Sequence, residues 1–109
     1  MRWRDVPRRI YVHGEEWTIH WRSRDEKEWR DQHAWGVTHH DVREIHLCEA
    51  LKHCPSKLQE VWLHELLHAC LPEKKGRPFG VSDAAEEALV GHVAPFLALC
   101  LNQTGWSRP

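Results

Sequence analysis

The sequence predicts an α+β fold: a small antiparallel sheet of two hairpins packed on a buried helix, with a bent C-terminal helix closing the other side. Three observations predict it. Short β-prone runs with turn residues between them occupy the first half of the chain. Two long segments with helical spacing and helix-start residues occupy the second. The 109 residues suffice for one hydrophobic core and one domain, residues 1–109, but leave no room for a separate substrate domain.

The elements follow in order. Residues Arg9 to Val12 and Glu16 to Trp21 flank His13-Gly14 and read as a hairpin, with Trp17, Ile19 and Trp21 alternating along the second strand. Ser23 to Gln32 is almost entirely charged and reads as a loop. Trp35 to Thr38 and Val42 to Leu47 flank His39-His40-Asp41 and read as a second hairpin. Alternation turns Val42, Glu44 and His46 one way and Arg43, Ile45 and Leu47 the other. His39-His40-Asp41 is read as a polar turn rather than a metal site, and His46 and His53 are read as non-ligands. Ser56 with Gln59 three residues on forms a capping-box pattern, which predicts a helix from about Lys57 to Leu71, ending before Pro72. Glu73 to Gly80 is a loop by composition. Ser82 caps the second predicted helix, whose early acids Asp83, Glu86 and Glu87 suit the helix dipole. That helix should reach about Asn102, with a bend at Pro95, whose ring cannot donate to the Gly91 carbonyl.

Composition narrows the function classes. Fifteen Lys plus Arg against sixteen Asp plus Glu give a formal charge of −1, with no electrostatic case for nucleic acid or an anionic membrane. The four cysteines form no C-x-x-C pair, which argues against a zinc ribbon. Cys70 and Cys100 sit in helical apolar patterns and are expected to be buried; Cys48 and Cys54 are near enough in sequence to pair but are expected to stay reduced. The start MRWRDVPRRI lacks the apolar stretch of a secretory signal, and no run approaches a membrane span. The expectation is a cytoplasmic protein.

The chemistry concentrates in Val61-Trp62-Leu63-His64-Glu65-Leu66-Leu67-His68-Ala69-Cys70-Leu71. Apolar residues surround three ionisable ones, whose burial without partners costs several kcal/mol each. His64 and His68, four apart, stack on one helix face and can share one zinc ion, Zn2+, while Glu65 stands about 100° away beside it. This is the H-E-x-x-H pattern of zinc metalloproteases. It arises by chance roughly one time in eleven in a chain of this His and Glu content, so its place in the most apolar segment carries part of the argument. A catalytic zinc takes three protein ligands and an open position. Ala69 to Lys74 lacks the Gly and third His of metzincins. The apolar stripe Leu89, Val90, Val93, Leu97, Cys100 extends backward to Glu86, which is the expected third ligand. Glu87 lies about 100° off that stripe and is the alternative, and His92 is a further candidate as ligand or supporting group.

The HELLH segment followed by an E-E pair opening the next helix resembles a minimal gluzincin. It is closest to the short metallopeptidase-like proteins of phages and prophages, over roughly Trp35 to Leu101, and more distantly similar to proteases that cleave phage repressors and to thermolysin. The resemblance implies His64, His68 and Glu86 as metal ligands, Glu65 as general base, and Val42 to Leu47 as the edge strand along which a protein or peptide substrate lies. One departure stands out: thermolysin-like enzymes carry an Asp four residues after the ligand Glu, and here that residue is Val90. Support for a ligand imidazole must come from elsewhere, with Asp83 or a backbone carbonyl the expected sources. The function expected is peptide-bond hydrolysis. The alternative is a non-enzymatic, zinc-stabilised module binding a host or phage regulator, its metal closed by a fourth ligand such as His92 or Cys70.

Overall fold

The computed structural model describes residues 1–23, 35–71 and 82–104, without the side chains of Asp83 and of residues 101–104. The first hairpin joins β1 (Arg9–Val12) to β2 (Glu15–Arg22) through the two residues His13 and Gly14. Both have positive φ, 51° and 79°. That is the pairing a two-residue turn needs to match the strand twist, and it is why a glycine stands at the second position. The second hairpin joins β3 (Gly36–His39) to β4 (Glu44–Cys48) antiparallel, with Thr38 opposite Ile45. Both expected hairpins therefore form.

They meet in a way the expectation of a wholly antiparallel sheet did not contain. β2 and β4 run parallel, Ile19 beside Ile45 and Trp21 beside Leu47, so the sheet is mixed with order β1-β2-β4-β3. The consequence is a correction: the Val42 to Leu47 segment, expected at the edge, supplies an interior strand, and β3 is the edge. Burial on both faces of β4 agrees, with Ile45, His46, Leu47 and Cys48 all buried.

One face of the sheet carries Val12, Trp17, Ile19, Ile45 and Leu47 into the core, where they meet Leu58, Val61, Trp62 and Ala69 of α1 (Pro55–Cys70). α1 starts earlier than the Ser56 cap implied. Cys54 is its N-cap without a side-chain bond, and Pro55 opens the helix, where its missing N–H costs nothing. Gln59, read as the capping-box partner, is instead buried in the helix, where its Nε2 has no hydrogen-bond partner among the described residues. At the other end, His13 Nε2 and His40 Nε2, one from each hairpin turn, lie 3.0 Å from the carbonyl oxygens of Cys70 and Leu71. The two turns thus satisfy orphan carbonyls at the end of α1.

α2 (Asp83–Thr104) begins as expected: the Ser82 Oγ accepts the Ala85 N–H at 3.1 Å. It continues through Pro95 and rests mainly on α1. Its buried line is Glu86, Val90 and Ala94, spaced by four, while Leu89, Leu97 and Cys100 of the expected core stripe are exposed. A helix with a single helical neighbour buries one narrow ridge and leaves the rest of its apolar residues outside. All four cysteines are free, as expected for Cys48 and Cys54; Cys48 is buried, and Cys70 and Cys100, expected to be buried, are exposed. The loops expected at 23–32 and 73–80 lie, except for Ser23, outside the described residues. Among the described residues, no helix is long and apolar enough to cross a membrane.

Candidate metal centre

α1 and the start of α2 cross so that four chemistry-bearing side chains converge. His64 and His68, one turn apart on α1, bring their Nε2 atoms within 3.2 Å of each other. Glu87 spans them: its Oε1 lies 3.0 Å from His64 Nε2, and its Oε2 lies 3.0 Å from His68 Nε2. Glu86, the expected ligand, is elsewhere. Its Oε2 accepts a hydrogen bond from His68 Nδ1 at 2.7 Å, on the far side of the ring, and its carboxylate is buried. The stripe therefore located a buried acid, while the acid facing both Nε2 atoms is its neighbour.

These contacts assign the tautomer of His68. With Nδ1–H given to Glu86, the neutral ring keeps a lone pair on Nε2. That lone pair faces a carboxylate oxygen of Glu87 at 3.0 Å, an approach made favourable either by a proton on Nε2 or by a metal cation between the two. The donor set tests whether that cation fits as a metal. Bonds of 2.0–2.1 Å in a tetrahedron set ligand atoms roughly 3.3 Å apart, and the contacts among His64, His68 and Glu87 are 3.0 to 3.2 Å. Two imidazole nitrogens and one carboxylate suit zinc in both number and type. The Glu86 contact matches the carboxylate that commonly orients a ligand histidine; Asp83, named for that role from the sequence, has no described side chain.

Glu65 sits on the same helix beside this group and is 6% exposed. Burial pushes its carboxyl above the usual range, against the opposing pull of a Thr38 hydrogen bond and of the two histidines. The Thr38 hydroxyl donates to Glu65 Oε1 at 2.9 Å and also lies 3.0 Å from the Glu65 carbonyl oxygen. Gly36, two residues earlier on the same strand face, makes this approach possible. A Cβ there would stand 2.8 Å from Glu65 Cγ and 2.9 Å from Val61 Cγ1. Neither residue was singled out from the sequence. The signal was present in the strand alternation, which turns a glycine and a hydroxyl-bearing residue toward the helix where apolar residues would be expected.

The group opens into a cleft of about 570 Å³ lined by Trp35, Thr38, His64, Glu65, His68 and Glu87, among others. Glu87 is the most open of the converging carboxylates, its side chain 63% exposed. His92 and Cys70, the candidates for a closing fourth ligand, are absent from the ligand group among the described residues. His92 is exposed and lies against Phe96. The chemistry available is therefore a three-ligand cation site with a buried carboxylate beside an accessible cleft. No known protein-family model matches this chain, and neither a curated protein nor a solved structure matches it, so the functional reading rests on this geometry.

Proposed function

We propose that this protein is a zinc-dependent metallopeptidase in which His64, His68 and Glu87 hold the metal, Glu86 orients His68, and Glu65 is the general base. The observation that carries the reading is the near-tetrahedral spacing of His64, His68 and Glu87, with Glu65 on the same helix and a cleft over both. When bound, zinc supplies Lewis acidity, lowering the pKa of a water toward ~7 and polarising a carbonyl oxygen. The chain's own residues do the rest. Glu65 accepts the proton of the attacking water and delivers it to the departing amine. Thr38 fixes the Glu65 carboxylate through Oε1, leaving Oε2 free of that bond. The buried Glu86 holds the His68 ring in one tautomer. The resemblance to minimal gluzincins supports the same chemistry with a shifted third ligand.

Substrate recognition follows from the edge. β3 lines the cleft with Gly36, Val37 and Thr38 and is an edge strand, so an extended peptide can add to it through main-chain hydrogen bonds.

Two measurements test the reading. Elemental analysis of protein purified without added metal should show that Glu87→Ala lowers zinc occupancy of this centre as far as a His64→Ala, His68→Ala double variant does. Glu86→Ala should retain the site with affinity weakened about 10- to 100-fold. Equal loss from Glu86→Ala and none from Glu87→Ala would reverse the ligand assignment. Incubating the zinc-loaded chain with a mixed peptide pool and mapping new termini by mass spectrometry should show cleavage that Glu65→Gln abolishes while keeping the metal. Cleavage by Glu65→Gln at the wild-type rate would sink the general-base role.

A further inference from the structure

The opposite face of the sheet carries a second group of metal-ligating side chains, separate from α1 and α2. The parallel register of β2 and β4 sets Thr18 beside Glu44 and His20 beside His46, and the β3–β4 register sets His39 beside Glu44. Because side chains alternate, His20, His39, Glu44 and His46 all project from the face that α1 does not cover. His46 Nε2 lies 2.8 Å from Glu44 Oε1, and His20 Nε2 lies 3.8 Å from the same oxygen. One ligand atom each from His20, Glu44 and His46 falls within 4.8 Å of the others. The His39 ring stands edge-on to His46 at 4.7 Å between centroids, and the His20 ring lies 5.2 Å from it.

We propose that His20, Glu44 and His46 form a second binding site for a divalent first-row transition ion, of which Zn2+ is the representative. The donor set is again two imidazoles and a carboxylate; the two imidazole nitrogens stand 2.8 and 3.8 Å from the Glu44 oxygen, either side of the roughly 3.3 Å expected between ligands of one ion, and all three ligand atoms lie within 4.8 Å of one another. Three imidazoles gathered around one carboxylate on a sheet face gain little by packing, whereas a divalent ion uses their nitrogens directly. The depths of the ligands fit a site entered from solvent: the His46 side chain is 10% exposed, Glu44 31% and His20 45%.

Two hydrogen bonds must yield. His20 Nε2 lies 2.8 Å from Thr18 Oγ1, a rotatable hydroxyl that turns aside readily. Arg22 Nη1 donates to His46 Nδ1 at 3.1 Å, which places the ring proton on Nε2, toward Glu44. Coordination through Nε2 moves that proton to Nδ1 and displaces the guanidinium. Arg22 therefore competes with the ion, and Arg22→Gln, whose amide oxygen accepts from Nδ1–H, is expected to tighten binding by about tenfold.

The experiment is stoichiometric. The untagged chain is stripped with chelator, dialysed against Zn2+ and measured by elemental analysis, with circular dichroism on every variant. Two equivalents per chain are expected, falling to one in the solvent-facing His20→Ala, Glu44→Gln variant. The equivalent left in a His64→Ala, His68→Ala variant should be the one that His20→Ala, Glu44→Gln removes. Two equivalents persisting in the His20→Ala, Glu44→Gln variant overturn the site. A single equivalent in the wild type, removed by His64→Ala, His68→Ala, overturns it as well. A single equivalent removed only by His20→Ala, Glu44→Gln supports this site and counts against the α1–α2 centre instead. Weaker or unchanged affinity in Arg22→Gln would overturn the assigned donor atoms.

Discussion

A carboxylate that is to act as a base, the role proposed for Glu65, must be aimed, and a neutral hydroxyl aims this one. Thr38 lies on a β-strand that restricts its side chain, and its hydrogen bond to Glu65 Oε1 is charge-assisted when the acid is ionised. Thr38→Val keeps the branched shape and removes the donor. A hydrogen bond to a charged group contributes about 1.5–3 kcal/mol, so kcat/KM is expected to fall on the order of 10- to 100-fold with metal content unchanged. Thr38→Ser should restore most of it, which a purely packing role for Thr38 would not produce. Gly36→Ala tests the neighbouring close approach. Its Cβ meets Glu65 Cγ and Val61 Cγ1 below 3 Å, so a loss of about 1–3 kcal/mol in chemical denaturation is expected. At this scale the sequence located most of the side chains that converge in the candidate centre. His64, Glu65 and His68 were legible because helical spacing is short-range and the neighbours are apolar. The division of labour between Glu86 and Glu87 was not. Apolar periodicity reports which residue is buried, and Glu86 is buried; ligation depends on which oxygens reach both Nε2 atoms, and that is set by how α2 crosses α1.

Each helix and strand shows where local signals end. The two hairpins were readable from alternation and turn residues, since both are formed by neighbours in sequence. The parallel join of β2 to β4 was not, because no local pattern states which strands of two hairpins will meet. That join decides two functional matters: it makes β3 the free edge beside the cleft, and it sets His20 beside His46. The core face of α2 was misread for a related reason. Its apolar residues are spread widely around the helix, so the stripe is ambiguous until the neighbour is known, and the observed ridge runs through Glu86, Val90 and Ala94. The exposed side of α2 offers a clean test of element stability. Gly91 is exposed, lies mid-helix, and a Cβ there would meet nothing within 4 Å. Gly91→Ala is expected to stabilise the protein by about 0.5–1 kcal/mol by lowering the backbone freedom of the unfolded chain. Equilibrium denaturation would read this as a higher midpoint with unchanged slope. A lower midpoint would mean that something approaches this face of α2.

For the whole molecule, the two halves are held together unequally. The sheet and α1 share a continuous apolar core containing Trp17, Ile45, Leu47, Leu58 and Trp62. α2 joins that body mainly through α1, along a ridge whose first member is the carboxylate Glu86. Between α1 and α2, much of what makes contact is polar: His64 and His68 from one helix, Glu86 and Glu87 from the other. In the proposed metal-bound protein these groups are cross-linked by one ion, and binding energy becomes folding energy for the segment it ties down. Without the ion, His68 and Glu87 are joined by at most a hydrogen bond, and among the described residues of α2 the fully buried apolar anchors are Val90 and Ala94. Chelation is therefore expected to lower the thermal midpoint. At free zinc 100-fold above the dissociation constant the linkage is worth about 2.7 kcal/mol, which for a chain of this size is a shift on the order of 10 °C. The loss should also be uneven. Hydrogen exchange after chelation should accelerate most along residues 83–104, while β2, β4 and the start of α1 keep their protection. The His20→Ala, Glu44→Gln background removes the sheet-face site from the measurement. Uniform loss of protection over sheet and helices in that background, or an unchanged midpoint, would contradict the view that the metal clamps α2 onto α1.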